Sequence, residues 1–356
     1  MTNPPTPVDR LRGLKPYQPP EIDREVTLRL DANEGVPTAD ATLEAIRSIT
    51  SEEIRRYPNA RALEARIAER HAVDPECIVV TNGGDDAIDR LCRATLEQGR
   101  DLVFHAPTFE MIERGARLAG ALSKPIEWLD GDFPVDAFVD RITKRTGLAA
   151  IVSPNNPTGS VVSRDDWSLI LDAASAAGTV VLADLAYVEF ADEDPTPDLI
   201  GEPNVVVVRT FSKALGLAGL RVGYAIAPAP IANWLRTTGG PYPVSTVSLA
   251  AAGAALRDLD ARTPILDRVR EERRQLTALL IDLGATVPES QANFVLARFP
   301  DAQGVWKGLM TRGISVRSFG ERPGLADALR ITLPADQDLF DRLTTALRDI
   351  LQGDPR

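Results

Sequence analysis

The chain has 356 residues, a formal net charge of -11, and 44% hydrophobic against 26% charged residues. That length exceeds what one core usually supports, so a globular protein of two domains is expected. The acidic balance argues against nucleic acid as a partner, and no apolar run approaches the ~20 residues of a membrane span.

The first residues, 1–7, are polar and proline-rich with no apolar signal core, and read as a frayed arm. Residues 10–20 hold Lys15-Pro16-Tyr17 and end in Pro19-Pro20, an extended segment. A short strand is expected at 27–30, followed by Asp31-Ala32-Asn33-Glu34-Gly35. Residues 38–49 place Leu43, Ile46 and Ile49 on one helical face, 56–58 form a loop at Pro58, and 62–71 read as a second helix.

From there the pattern becomes strand, polar turn, helix, repeated. Strands are expected at 78–80, 102–104, 149–152, 179–183 and 205–208, with helices at 87–96, 111–118 and 165–177. This alternation predicts a mostly parallel α/β sheet. After Pro241-Tyr242-Pro243 the character changes. Helices are expected at 247–259, 265–283 and 337–351, and strands at 294–298, 314–317 and 330–333. These form a smaller α/β domain that the N-terminal arm completes.

In parallel α/β sheets, ligands sit beyond the carboxyl ends of the strands. Here successive strand ends carry Gly83-Gly84-Asp85, Phe109, Asn156, Asp184 with Tyr187, and Lys213 with Arg221. Lys213 follows four valines and stands among small and apolar neighbours. Desolvation is costly for an ammonium, so such a lysine either snorkels to water or works as a nucleophile toward a carbonyl. Arg221 offers a planar fork for phosphate, and Gly83-Gly84 opens a helix whose free N–H groups suit an anion. These features point to pyridoxal phosphate (PLP) bound to Lys213 through a Schiff base.

In that reading Asp184 pairs with a protonated pyridine nitrogen, Asn156 and Tyr187 meet the ring hydroxyl, and Phe109 stacks on the ring. Arg330, and more weakly Arg317, suit a substrate carboxylate. Each residue alone also fits a plain role: a cap, a turn, a core aromatic, a strand-end arginine. Glu34, Asp86 and the acids of 265–283 are assigned to solvent or pairing. His71 and His105 are too few for a zinc site, and Cys77 and Cys92 lack metal-like spacing, so no metal is expected. The cysteine usage fits a reducing compartment, and the cytoplasm is expected. No G-x-G-x-x-G follows the first strand of the repeat, which removes the main support for a nicotinamide enzyme.

Together these residues resemble the fold-type I PLP-dependent aminotransferases, and most closely the histidinol-phosphate aminotransferases. The likeness covers nearly the whole chain and is strongest at 153–159, at Asp184 with Ala186-Tyr187, and at 210–224. It implies a large domain with a mostly parallel seven-stranded sheet plus a smaller α/β domain. The expected division is 1–40 as arm and part of the small domain, 41–250 as the large PLP-binding domain, and 251–356 as the small domain.

The resemblance makes Lys213 the Schiff-base lysine and proton shuttle, with Asp184, Asn156, Tyr187 and Phe109 around the ring. Gly84, Asp85, Ser212 and Arg221 surround the phosphate. Tyr57 reaches the cofactor phosphate of a neighbouring subunit, which implies a homodimer with shared sites. Arg330 clamps the substrate carboxylate, while Tyr17, Asn33, Tyr242 and Arg317 fall where the family contacts substrate. Two departures stand out: Leu185 in place of the usual glutamate, and Gly35-Val36 in place of Asn-Pro.

The implied activity is transfer of an amino group from histidinol phosphate to a 2-oxo acid, 2-oxoglutarate first. Aromatic amino-acid transamination and PLP-dependent decarboxylation are the alternatives on the same fold. A catalytically silent binding module would be expected to lack Lys213.

Overall fold

A computed structural model describes residues 6–17 and 25–353. The arm read at 1–7 lies mostly, and Pro19-Pro20 wholly, outside the described residues.

Eleven strands form two sheets among the described residues. In chain order they are β1 (Leu28–Leu30), β2 (Ile78–Thr81), β3 (Asp101–Ala106), β4 (Leu122–Glu127), β5 (Thr146–Val152) and β6 (Val180–Asp184). Then follow β7 (Val205–Thr210), β8 (Gly223–Ile226), β9 (Phe294–Arg298), β10 (Ile314–Ser318) and β11 (Ala328–Thr332). The large sheet has seven strands in the order β2-β8-β7-β6-β5-β3-β4. It is parallel from β4 through β7, whereas β8 runs antiparallel to both β7 and β2.

The continuous apolar strands are explained by burial on both faces. Every residue of β5, β6 and β7 is buried. Along β7, Val205 and Val207 enter one hydrophobic cluster and Val206 and Val208 the other, the period-2 alternation of a strand. Helices cover both faces, among them Gly84–Thr95 and Glu110–Ala119 on one side and Arg164–Ala177 on the other.

The small sheet runs β1-β10-β11-β9, with β1 parallel to β10 and the other pairs antiparallel. Its core takes residues from the long helix Thr263–Asp282 and the closing helix Gln337–Gln352. Tyr187, Phe190 and Ala214, from loops of the large sheet, belong to this same cluster. The two sheets therefore share packing beside Asp184 and Lys213.

Two strands were not anticipated. β4 is an edge strand, half-exposed and carrying Pro125, so its pattern is not apolar. β8 merges in sequence with the glycine-rich stretch after Lys213. The expected strand at 330–333 is shifted to β11, which starts at Ala328.

Candidate active site

One cavity of about 540 Å³ opens where the carboxyl ends of the large sheet meet the small one. The large sheet's side brings Gly84, Asp85, Phe109, Asn156, Asp184, Tyr187, Ser212, Lys213 and Arg221 to its wall. The N-terminal residues Tyr17 and Asn33 and the small sheet's Arg317 and Arg330 line it from the other side. Of the residues expected to bind cofactor or substrate, from Gly84 and Asp85 to Arg317 and Arg330, Tyr57 and Tyr242 alone lie away from this wall. They stack on each other instead, with ring centroids 4.5 Å apart and planes 11° from parallel. Both rings are exposed.

Lys213 follows β7, whose end is pinned by Arg209. That buried guanidinium donates to Glu189 at 2.8 Å, to Asp194 at 3.1 Å and to Thr196 at 2.8 Å. It thereby ties β7 to the segment following Asp184 and Tyr187. The Lys213 amine donates to the Ala32 carbonyl at 3.2 Å and lies 5.4 Å from the centre of the Tyr187 ring.

Asp184 ends β6 and is buried, accepting the Ala186 N–H at 3.2 Å. Burial pushes its carboxyl up to about 7, and the Asp85 charge adds to this; the Ala186 N–H and the Lys213 ammonium pull the other way. Leu185 points into the opposite hydrophobic cluster, fully buried.

At the other end of the cavity, the helix Gly84–Thr95 begins after Gly83, which adopts φ +83°. A Cβ on Gly83 would lie 2.6 Å from Nη2 of Arg221. Arg221 also donates to Asp85 at 2.9 Å. Ser212 accepts the Thr210 hydroxyl at 2.9 Å, and its N–H donates to the same oxygen at 3.1 Å. This end of the cavity thus gathers a helix N-terminus, a guanidinium and hydroxyls, a setting for an anion.

Arg330 is buried on β11 and spans two partners. It donates to Asn156 Oδ1 at 2.5 Å and to the Asp31 carbonyl at 2.8 Å. Its Nε is buried without a partner among the described residues, and burial pushes the guanidinium down to about 10. Arg317 is its registered neighbour on β10, and no ion pair engages it among the described residues. Asn33, at φ +53°, donates through Nδ2 to the Tyr187 hydroxyl at 3.1 Å. Glu34, assigned to solvent above, is exposed and also lines the cavity.

Sequence reasoning missed several members. The Ala32 carbonyl is a backbone group and leaves no side-chain signal. Thr332 accepts the Asn33 N–H at 3.1 Å and donates to Asn33 Oδ1 at 3.0 Å, a contact between residues 299 positions apart. Arg322 and Glu110 face each other at the cavity's rim at 2.7 Å. The histidines play no part in the cavity. His105 is enclosed, accepts the Val152 N–H at 3.0 Å, and is pushed down to about 3 by burial.

Comparison with known proteins places this geometry in a family. The family model described as "Aminotransferase class I and II" matches residues 27–347. A histidinol-phosphate aminotransferase of Thermoanaerobacter sp. (strain X514) is 34% identical over 351 residues, 96% of this chain and 98% of that protein. An aromatic amino acid aminotransferase of Streptomyces avermitilis is 35% identical over 348 residues, 94% of each. Among solved structures, a histidinol-phosphate aminotransferase from Sinorhizobium meliloti in complex with pyridoxal-5'-phosphate superposes with a TM-score of 0.84 at 26% identity. That match covers 92% of this chain and 91% of the other.

Proposed function

The chain belongs to the class I and II aminotransferases, a PLP-dependent enzyme of fold type I, and from that premise we propose histidinol phosphate as its amino donor and 2-oxoglutarate as its acceptor. The residues present fit the cofactor. Asp184 is a buried carboxyl with, among the described residues, only the Ala186 N–H as hydrogen-bond partner, and a protonated ring nitrogen would complete it. The start of Gly84–Thr95 with Arg221 is a cationic cradle that any side chain at position 83 would fill.

When bound, PLP supplies an aldehyde that takes up an amine and a ring that withdraws electrons. Everything else falls to the chain. Lys213 would hold the cofactor, and its amine, when free, would take the proton from the carbon bearing the donor's amine. Asp184 keeps the ring nitrogen protonated, and Phe109 covers the ring face. Among the described residues no partner takes the Nδ2 of Asn156 or the hydroxyl proton of Tyr187, so both could donate to the ring hydroxyl. Gly84, Ser212 and Arg221 hold the phosphate, with Asp85 orienting Arg221.

The donor assignment is carried by Arg317 beside Arg330. Two guanidiniums on adjacent strands, neither with an ion-pair partner among the described residues, suit a dianionic phosphate and also a carboxylate. Tyr17 and Asn33 border the same space. An aromatic donor is the second reading, favoured by Phe109, Phe319 and Tyr17 on the wall and by the Streptomyces relative.

Tyr57 and Tyr242, exposed and stacked outside the cavity, are proposed to complete a second subunit's site in a homodimer. The hydrophobic clusters support a large domain and a small one that the N-terminal segment joins through Leu28 and Leu30. Ala251, Ala252, Ala255, Leu256 and Leu259 pack in a large-sheet cluster, however, so the proposed boundary between 41–250 and 251–356 moves to after Leu259. The cytoplasm is the proposed location; among the described residues no helix is long and apolar enough to cross a membrane.

The test is a half-reaction panel. Purified enzyme is mixed with single amines, and loss of its visible absorbance is followed, with histidinol phosphate and phenylalanine first. Histidinol phosphate is expected to react fastest. A faster reaction with phenylalanine would transfer the assignment to aromatic donors.

A further inference from the structure

Segment 31–36 and the loop 212–217 meet backbone against backbone. A Cβ on Gly35 would sit 1.8 Å from the Lys213 carbonyl oxygen and 2.9 Å from its carbonyl carbon. From the opposite side, a Cβ on Gly216, at φ +68°, would sit 2.2 Å from the Val36 carbonyl oxygen. Backbone cannot yield as a flexible side chain does, so both positions require glycine for close approach. The same segment also receives the lysine's other end, since the Lys213 amine donates to Ala32 at 3.2 Å.

The segment is fixed in turn from the small sheet's side. Thr332 bonds Asn33 twice, at 3.1 and 3.0 Å. Asn293, buried, donates to the carbonyls of Asn33 at 3.4 Å and Glu34 at 3.5 Å.

We propose that residues 32–35 form a seat for Lys213 and that Gly35 is a positioning residue for the reaction. The missing side chain at 35 lets the seat press on the lysine's backbone while the Ala32 carbonyl orients its amine. The Gly35-Val36 departure noted in the sequence is thereby a requirement of this chain's packing. The inference rests on the role proposed above for Lys213.

The experiment uses cofactor-free protein and separates two quantities. One is equilibrium binding of pyridoxamine phosphate, which has no aldehyde. The other is the rate of covalent capture of PLP, in which the amine condenses with the aldehyde and one water leaves. Captured PLP is trapped with borohydride and located by peptide mass.

Gly35→Ala is expected to slow capture by roughly tenfold or more while leaving pyridoxamine phosphate affinity unchanged. Asn293→Ala loosens the seat without touching the Gly35 contact, and is expected to slow capture less. Gly201→Ala places a Cβ at a glycine that, like Gly35, is not left-handed, with nothing within 4 Å, and is expected to change neither quantity.

Capture at the parental rate in Gly35→Ala overturns the proposal. So does a parallel loss of capture and pyridoxamine phosphate affinity, which marks a purely structural role. Should Gly35→Ala not fold, Asn293→Ala decides by the same two quantities. Lys213→Ala is run alongside. If it still captures PLP, the role of Lys213 itself falls, an outcome distinct from failure of the seat.

Discussion

Asp184 is a carboxyl that the fold buries ahead of any partner for its charge. An unfolded aspartate ionises near its ordinary value of 3.8, whereas this one is held up to about 7. Between those values the folded state keeps a proton that the unfolded state has lost. The cofactor-free protein therefore loses stability as pH rises through that window, by roughly 4 kcal/mol at most. Asp184→Asn is expected to remove this slope. Denaturant melts of cofactor-free parent and variant at pH 4.5 and 7.5 check it, because contributions from His71 and His105 cancel in the difference. An equal difference at both pH values would reject the argument. At Arg330, buried and hydrogen-bonded on two sides, truncation removes a charge-assisted clamp. Arg330→Ala is expected to lower kcat/KM for a 2-oxo acid by about a hundredfold, with KM bearing much of the loss, in steady-state kinetics.

At the scale of elements, β7 decides where the lysine stands. Val207 is completely buried on this central strand. Val207→Ala is expected to cost about 2 kcal/mol in denaturant unfolding while leaving kcat nearly unchanged, because the backbone that carries Lys213 is held by neighbours on both sides. The strands of the large sheet that are buried on both faces were legible, since nothing but a core strand explains 205–208 or 149–152. β4 was not, because an edge strand needs only one partner and can be polar. β8 was not, because its residues directly follow a loop whose glycines and lysine suggested something else. The cavity's large-sheet wall was legible because parallel topology sends strand ends to one edge. The Ala32 carbonyl and the Asn33–Thr332 pair were not, because backbone acceptors and partners 299 residues apart leave no local pattern.

For the whole molecule, the cavity is a joint between two sheets, and one ion pair crosses its rim. Arg322, from the loop between β10 and β11, donates to Glu110 at the start of the helix Glu110–Ala119, with side chains 41% and 40% exposed. Such a pair contributes roughly 1 kcal/mol or less to stability. Glu110→Gln is expected to leave the melting temperature almost unchanged while lowering KM for an anionic acceptor, since Arg322 is released toward the cavity. The effect should shrink at high ionic strength, and a salt-independent KM would count against it. A different relation governs the two residues proposed to anchor the cofactor. Lys213 and Arg221 sit within a single hairpin, β7 and β8, whose register pairs Thr210 with Gly223 and whose loop is closed by Phe211 N–H bonding to Val222 at 3.1 Å. Their spacing is thus set like the two prongs of one fork. Arg317 and Arg330 belong to the other sheet, so on the proposed roles any breathing at the joint would change the grip on the guest molecule and leave the prosthetic group's moorings at constant span.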